Sequence, residues 1–109
     1  REGRQLNYQR AEELFRETLR INPEHLDAEV SLALHYSAAG EEERALETLR
    51  KVVARAPQHR ENVCLLGLQL RRMDRQKEAM DVFLQAEALG TTEVVQYNLR
   101  ELRRAGVGP

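Results

Sequence analysis

The sequence predicts an all-α fold, a stack of antiparallel helical hairpins built from one repeated unit. Three observations predict it. Residues 34 positions apart match repeatedly: Ala11, Ala45 and Ala79; Phe15, Leu49 and Phe83; Glu13, Glu47 and Asp81. Apolar residues within each period recur at three- and four-residue spacing, the signature of one helix face. No stretch alternates with the period of two that a half-buried strand would show.

The match extends through the rest of the period. Leu32 falls on Leu66, Ala33 on Gly67 and Leu34 on Leu68, and Pro23-Glu24-His25 recurs as Pro57-Gln58-His59. Small residues fall on small and large on large, as equivalent packing positions require. Breakers punctuate the pattern at Pro23, Gly40, Pro57, Asp74, Gly90 and the terminal Gly106-Val107-Gly108-Pro109. Between them the spacing predicts six helices, near 5–21, 25–39, 42–56, 60–73, 76–89 and 92–105. The links are too short for neighbours to do anything but turn back on each other.

The first helix carries Tyr8, Ala11 and Phe15; the third carries Ala45, Leu46, Leu49, Val52 and Val53 on one broad apolar face; the fourth carries Val63, Leu66, Gly67 and Leu70. Gly67, Ala33, Ala45 and Ala79 are expected where paired helices approach most closely, with Tyr36, Phe15 and Phe83 filling the wider gaps.

These residues resemble the tetratricopeptide repeat, whose pattern is W-x2-L-G-x2-Y, then A-x3-F, then P over 34 residues. Residues 60–93 carry it as Val63-x2-Leu66-Gly67-x2-Leu70 and Ala79-x3-Phe83, and residues 26–59 as Leu32-Ala33-x2-Tyr36, Ala45-x3-Leu49 and Pro57. Residues 5–21 supply the second half of a truncated repeat, with Pro23 following, and residues 94–105 a capping or partial helix around Tyr97-Asn98-Leu99. The resemblance implies a single domain over 1–109: a right-handed superhelix of antiparallel hairpins, an α-solenoid of about six helices. Three departures stand out. Glu29 replaces a large aromatic, which should loosen the entry of its hairpin. Thr91 replaces the proline, and Leu66 to Leu99 spans 33 residues, so the last helix should be slightly rotated.

Composition bounds the function. The 109 residues have room for one domain, and 41% hydrophobic with 32% charged residues fits neither a disordered tail nor a membrane span. Direct membrane insertion is therefore not expected. A net charge of -1 offers no general field for a phosphate backbone, so nucleic acid is not an expected partner. Cutting after Ala54 divides the charge mildly, with 8 basic against 11 acidic residues before it and 9 against 7 after it. The lone Cys64 has no intrachain disulfide partner and requires no oxidising compartment. A cytoplasmic location is favoured, with a periplasmic one open, because a chain that starts at Arg1 with half a repeat reads as excised from a longer protein.

The resemblance implies that the first helix of each hairpin lines a concave face that holds peptides or partner helices. Here that strip is Val30, Leu34, Cys64, Leu65, Leu68 and Tyr97, with Arg71 and Arg72, joined by Arg103 or Arg104, as a basic rim, and Asp27 with Glu61 as an acidic one. Two readings stay open: an apolar or amphipathic peptide ligand, or side chains that bury against each other between adjacent helices. Some family members clamp C-terminal carboxylates with Lys and Asn, but those positions hold Asp27, Val30, Leu34, Glu61, Cys64, Leu65 and Leu68. A second expected surface is Tyr8, Ala11 and Phe15, which lack the usual cover of a preceding helix; either further repeats cover them or they support a homo-oligomer.

No catalytic, cofactor or metal site is expected. Asp27, Ser31 and His35 share a face but diverge along one helix, so His35 is expected to pack at the helix interface. His25 and His59 repeat because they occupy the same turn after proline, with nothing spaced to complete a metal site. Cys64 is expected as a small apolar groove residue.

Overall fold

A computed structural model of the chain describes residues 2–108, with side chains from residue 7 onward; Arg1 and Pro109 lie outside the described residues. It contains six helices and, among the described residues, no strand: α1 (Glu2–Ile21), α2 (Leu26–Ala38), α3 (Glu42–Arg55), α4 (Arg60–Arg72), α5 (Gln76–Leu89) and α6 (Glu93–Arg104). All six lie where the apolar spacing puts them. The chain clusters into two compact units, residues 1–48 and 49–109, with the boundary inside α3.

In the first unit, α1 packs on α2, and Leu32, Tyr36 and Ala45 form a buried cluster against which Phe15 and Leu19 rest. Polar groups at the edge of this cluster are paired across elements. Tyr8 donates its phenolic hydrogen to Glu41 Oε2 at 2.8 Å, and Arg16 donates to the Tyr36 hydroxyl at 2.6 Å. The Arg44 guanidinium lies 5.3 Å from the Tyr36 ring centroid, a cation–π distance. His35 packs at the helix interface, stacked on Tyr8 with centroids 3.7 Å apart and meeting Phe15 edge-on at 5.9 Å. Glu29, expected to loosen its hairpin, is buried beside Ala28.

In the second unit, α5 packs on both α4 and α6. Val63, Leu66 and Leu70 of α4, Ala79, Met80, Phe83 and Ala86 of α5, and Val95, Leu99 and Leu102 of α6 are all buried. Gly67 is the tightest point. A Cβ placed there would stand 2.9, 3.0 and 3.1 Å from three carbons of the Phe83 ring, so the absent side chain is what lets that ring lie against α4. This is the close approach that the 34-residue match implies.

Turns and caps explain the element ends. Three helices close with the same backbone bond across a residue of positive φ: Glu41 N–H to Tyr36 O, Arg75 N–H to Leu70 O and Val107 N–H to Leu102 O. The residue in the left-handed region is Gly40 at +82°, Asp74 at +60° and Gly106 at +87°. His25 caps α2 by accepting the Ala28 N–H on Nδ1 at 3.1 Å, whereas His59, at the equivalent cap of α4, makes no such side-chain bond. Thr92 caps α6 by accepting the Val95 N–H at 3.2 Å. α4 begins 34 residues after α2 and α6 33 after α4, so the shortened last period is real.

Candidate interaction groove

Helix periodicity turns one face of α4 outward with Arg60 and Glu61, then Cys64 and Leu65, then Leu68, then Arg71 and Arg72. Across from it, α6 begins with Thr92, Val94 and Val95. Together Arg60, Glu61, Cys64, Leu65, Leu68, Thr92, Val94 and Val95 line an open groove of about 360 Å³. Its apolar lip is exposed: Leu68 is 38% accessible and Val94 49%. Tyr97, one turn beyond Val94, is 52% accessible. Large apolar side chains left this open in adjacent positions need a reason, and recognition of another polypeptide is the usual one.

Two arginines of α4 contact this region: Arg60 lines the groove, and Arg71 lies one turn beyond Leu68. Arg60 lies over Gly90, where a Cβ would fall 2.6 Å from Nη1, so the glycine makes room for the cation. Arg71 donates to Asn98 Oδ1 at 2.6 Å and stands 5.9 Å from the centroid of Tyr97. Asn98 is buried and donates in turn to the Val94 carbonyl at 2.8 Å. Arg71 thus bridges α4 to α6 and packs against Tyr97. Cys64 is half-buried, and burial pushes its thiol above the ordinary value against a smaller opposing effect of Arg60. Such a thiol is a packing residue, poorly suited to act as a nucleophile.

Of the predicted strip, the structure brings Cys64, Leu65 and Leu68 together with α6, and sets Arg71 and Tyr97 at the edge. Arg72 is exposed next to them. Val30, half-buried, and Leu34, 46% exposed, form the corresponding outward line of α2 in the first unit. Tyr8, Ala11 and Phe15 are half-buried on the side of α1 that meets α2. Among the described side chains of α1, the most open apolar residues are instead Leu14 and Ile21, at 64% and 71%. Sequence reasoning missed Val94, Val95, Asn98 and the two arginine contacts. The 33-residue offset that equates Glu61 with Val94 could have found the first; the contacts have no signal in one dimension.

Among the described residues no three His, Cys, Asp or Glu side chains gather as metal ligands would, and no helix is long and apolar enough to cross a membrane. The sequence model described as the tetratricopeptide repeat matches residues 4–63. The chain belongs to the tetratricopeptide repeat family. Solved structures agree. The chain is similar to the tetratricopeptide repeat domain of Sgt2 from Aspergillus fumigatus, with 25% identity over 93% of this chain and 69% of that one and a TM-score of 0.78. MamA from Desulfovibrio magneticus RS-1 is 23% identical over 95% of this chain, with a TM-score of 0.80, a likeness of fold alone. This chain spans 59% of that one. A tetratricopeptide repeat domain protein from Salinibacter ruber is 27% identical over 77% of this chain and 85% of its own, with a TM-score of 0.60. A search of curated protein sequences gave no match. Tetratricopeptide repeat domains generally mediate protein–protein interaction, and theirs is a fold without enzymatic chemistry of its own.

Proposed function

We propose that this tetratricopeptide repeat domain holds a protein partner by seating an amphipathic segment in the groove between α4 and α6. The observation that supports this reading is the set of exposed apolar side chains at and beside an open groove: Leu68 and Val94 line it, and Tyr97, held against Arg71, lies one turn beyond Val94. An amphipathic helix or extended peptide would lay its apolar anchors against Cys64, Leu65 and Leu68 and leave its polar face in water. Val30 and Leu34 offer a second, smaller apolar line on α2 for the same kind of ligand.

Affinity capture with the full-length parent protein tests the reading. The partner retained by wild type should be lost with Leu68→Glu and kept with Leu89→Glu, which alters an exposed apolar residue of α5 outside the groove. Helical circular dichroism should be unchanged in both. Equal retention by Leu68→Glu would refute the groove as the binding face.

A further inference from the structure

The charges that line the groove cancel, and the charge held beside it is positive. Arg60 and Glu61 both belong to the lining. One turn beyond Leu68, on the same face of α4, stands Arg71, half-buried. Its Nη1 donates to Asn98 Oδ1 at 2.6 Å, and its guanidinium lies 5.9 Å from the Tyr97 ring centroid. Among the described residues no carboxylate pairs with Arg71, and the bond to Asn98 is its one side-chain hydrogen bond.

Other arginines of the same unit are held differently. Arg50 and Arg75 both bond Glu78, at 2.7 and 2.8 Å, and Arg104 lies 3.5 Å from Glu101. A carboxylate partner fixes a guanidinium and cancels its charge, whereas an amide oxygen fixes it and leaves the charge whole. Asn98 is itself held. It is buried, and its Nδ2 donates to the Val94 carbonyl at 2.8 Å, which leaves Oδ1 for Arg71. With Nη1 engaged, the edge formed by Nε and Nη2 keeps two parallel donors, the pair that matches both oxygens of a carboxylate. A half-buried guanidinium attracts an anion more strongly than one in open water, because the local dielectric is lower.

We infer that the segment seated in the α4–α6 groove is acidic: an amphipathic peptide that carries an Asp or Glu carboxylate one helical turn from an apolar anchor and delivers it to Arg71. The inference rests on the groove being the binding face, as proposed above, and names the chemistry of its occupant. Leu68 receives the anchor, Arg71 reads the carboxylate about 5 Å further along α4, and Asn98 positions Arg71. In a helical ligand that spacing is three or four residues.

A library of short random peptides, displayed on phage and selected on the 109-residue chain, tests this. Peptides that bind wild type and fail on Leu68→Glu should carry Asp or Glu three or four residues from a Leu or Phe. In a synthetic copy of such a peptide, exchanging the acid for its amide should weaken binding about tenfold, measured by fluorescence anisotropy, and less so at high salt. With Arg71→Gln the acid and amide peptides should bind within about twofold of each other, and the amide peptide should bind as it does to wild type, which shows the groove intact. Arg71→Lys keeps the charge without the fork and should retain part of the preference. Lys51→Gln removes the same charge from an exposed position on α3 and should retain all of it. Leu68-dependent peptides without an acid preference, or with one that survives Arg71→Gln or is lost equally with Lys51→Gln, overturn the inference and leave the groove standing as the binding face. A selection that yields no Leu68-dependent peptide removes the groove itself, and the inference with it.

Discussion

Replacing Gly67 with alanine pits two physical effects of opposite sign against each other. In the middle of a helix, glycine to alanine ordinarily stabilises by about 1 kcal/mol, because alanine loses less backbone freedom on folding. Here the new methyl would stand 2.9–3.1 Å from three carbons of Phe83, a ring with no solvent exposure. Ordinary carbon contacts lie near 3.5–4.0 Å, so the ring must retreat by about half an ångström or more into side chains that are themselves buried. Overpacking of that kind costs about 1–3 kcal/mol. The difference leaves a net loss of about 1 kcal/mol, with about 2 as the upper end, or roughly 5–10 °C in melting temperature for a domain of this size. Urea denaturation followed by circular dichroism gives the number. In a Phe83→Leu background the same substitution should become neutral or stabilising, a coupling of about 1–2 kcal/mol. A Gly67→Ala protein more stable than wild type would refute the claim that α4 and α5 meet at this point.

Other outcomes follow from the turns, the tyrosine and the cysteine. Gly40→Ala should destabilise by about 1 kcal/mol through its positive φ alone, since no atom lies within 4 Å of the added methyl, whereas Asp74→Gly should stabilise by about 0.5–1 kcal/mol by relieving the same backbone conformation; denaturation midpoints at constant slope read both. Burial, and then the hydrogen bond to Glu41, push the Tyr8 phenol up from its ordinary 10 to about 12, so absorbance titration should show one tyrosine ionising near pH 12 that disappears in Tyr8→Phe. Because the unfolded chain loses that proton near pH 10 while the folded one keeps it, this group favours folding below pH 10, and its contribution fades as pH rises from 10 towards 12. Cys64 should be alkylated at pH 8 more slowly than a free thiol, and unfolding in urea should restore the ordinary rate.

The architecture was legible in the sequence because its packing rule is periodic. Ala45 and Ala79 have no exposure, Phe83 closes over Gly67, and the helix starts repeat at 34 and then 33 residues. The groove was legible in part for the same reason: Cys64, Leu65 and Leu68 follow from knowing which face of α4 points away from α5. What stayed hidden depends on geometry between elements. Asp74 was legible as a breaker, but its left-handed backbone, at the position that Gly40 fills one repeat earlier, was not, because propensity assigns that conformation to glycine. Arg71 reads as a free rim charge until Asn98 is placed beside it. Leu14 and Ile21 look like ordinary apolar positions in a helix until Tyr8 and Phe15 are seen to take the side facing α2. The charge division looked mild when cut after Ala54; the boundary between compact units lies after Thr48, and Arg50 and Lys51 then fall on the basic side.

The single cysteine lies in the proposed binding face, which makes it a direct reporter. The rate of Cys64 modification should fall severalfold when the domain is saturated with the partner it retains, and the protection should vanish in Leu68→Glu mixed with the same partner. A partner that remains bound while Cys64 reacts at its unprotected rate would place the interaction elsewhere and contradict the groove as the site of function.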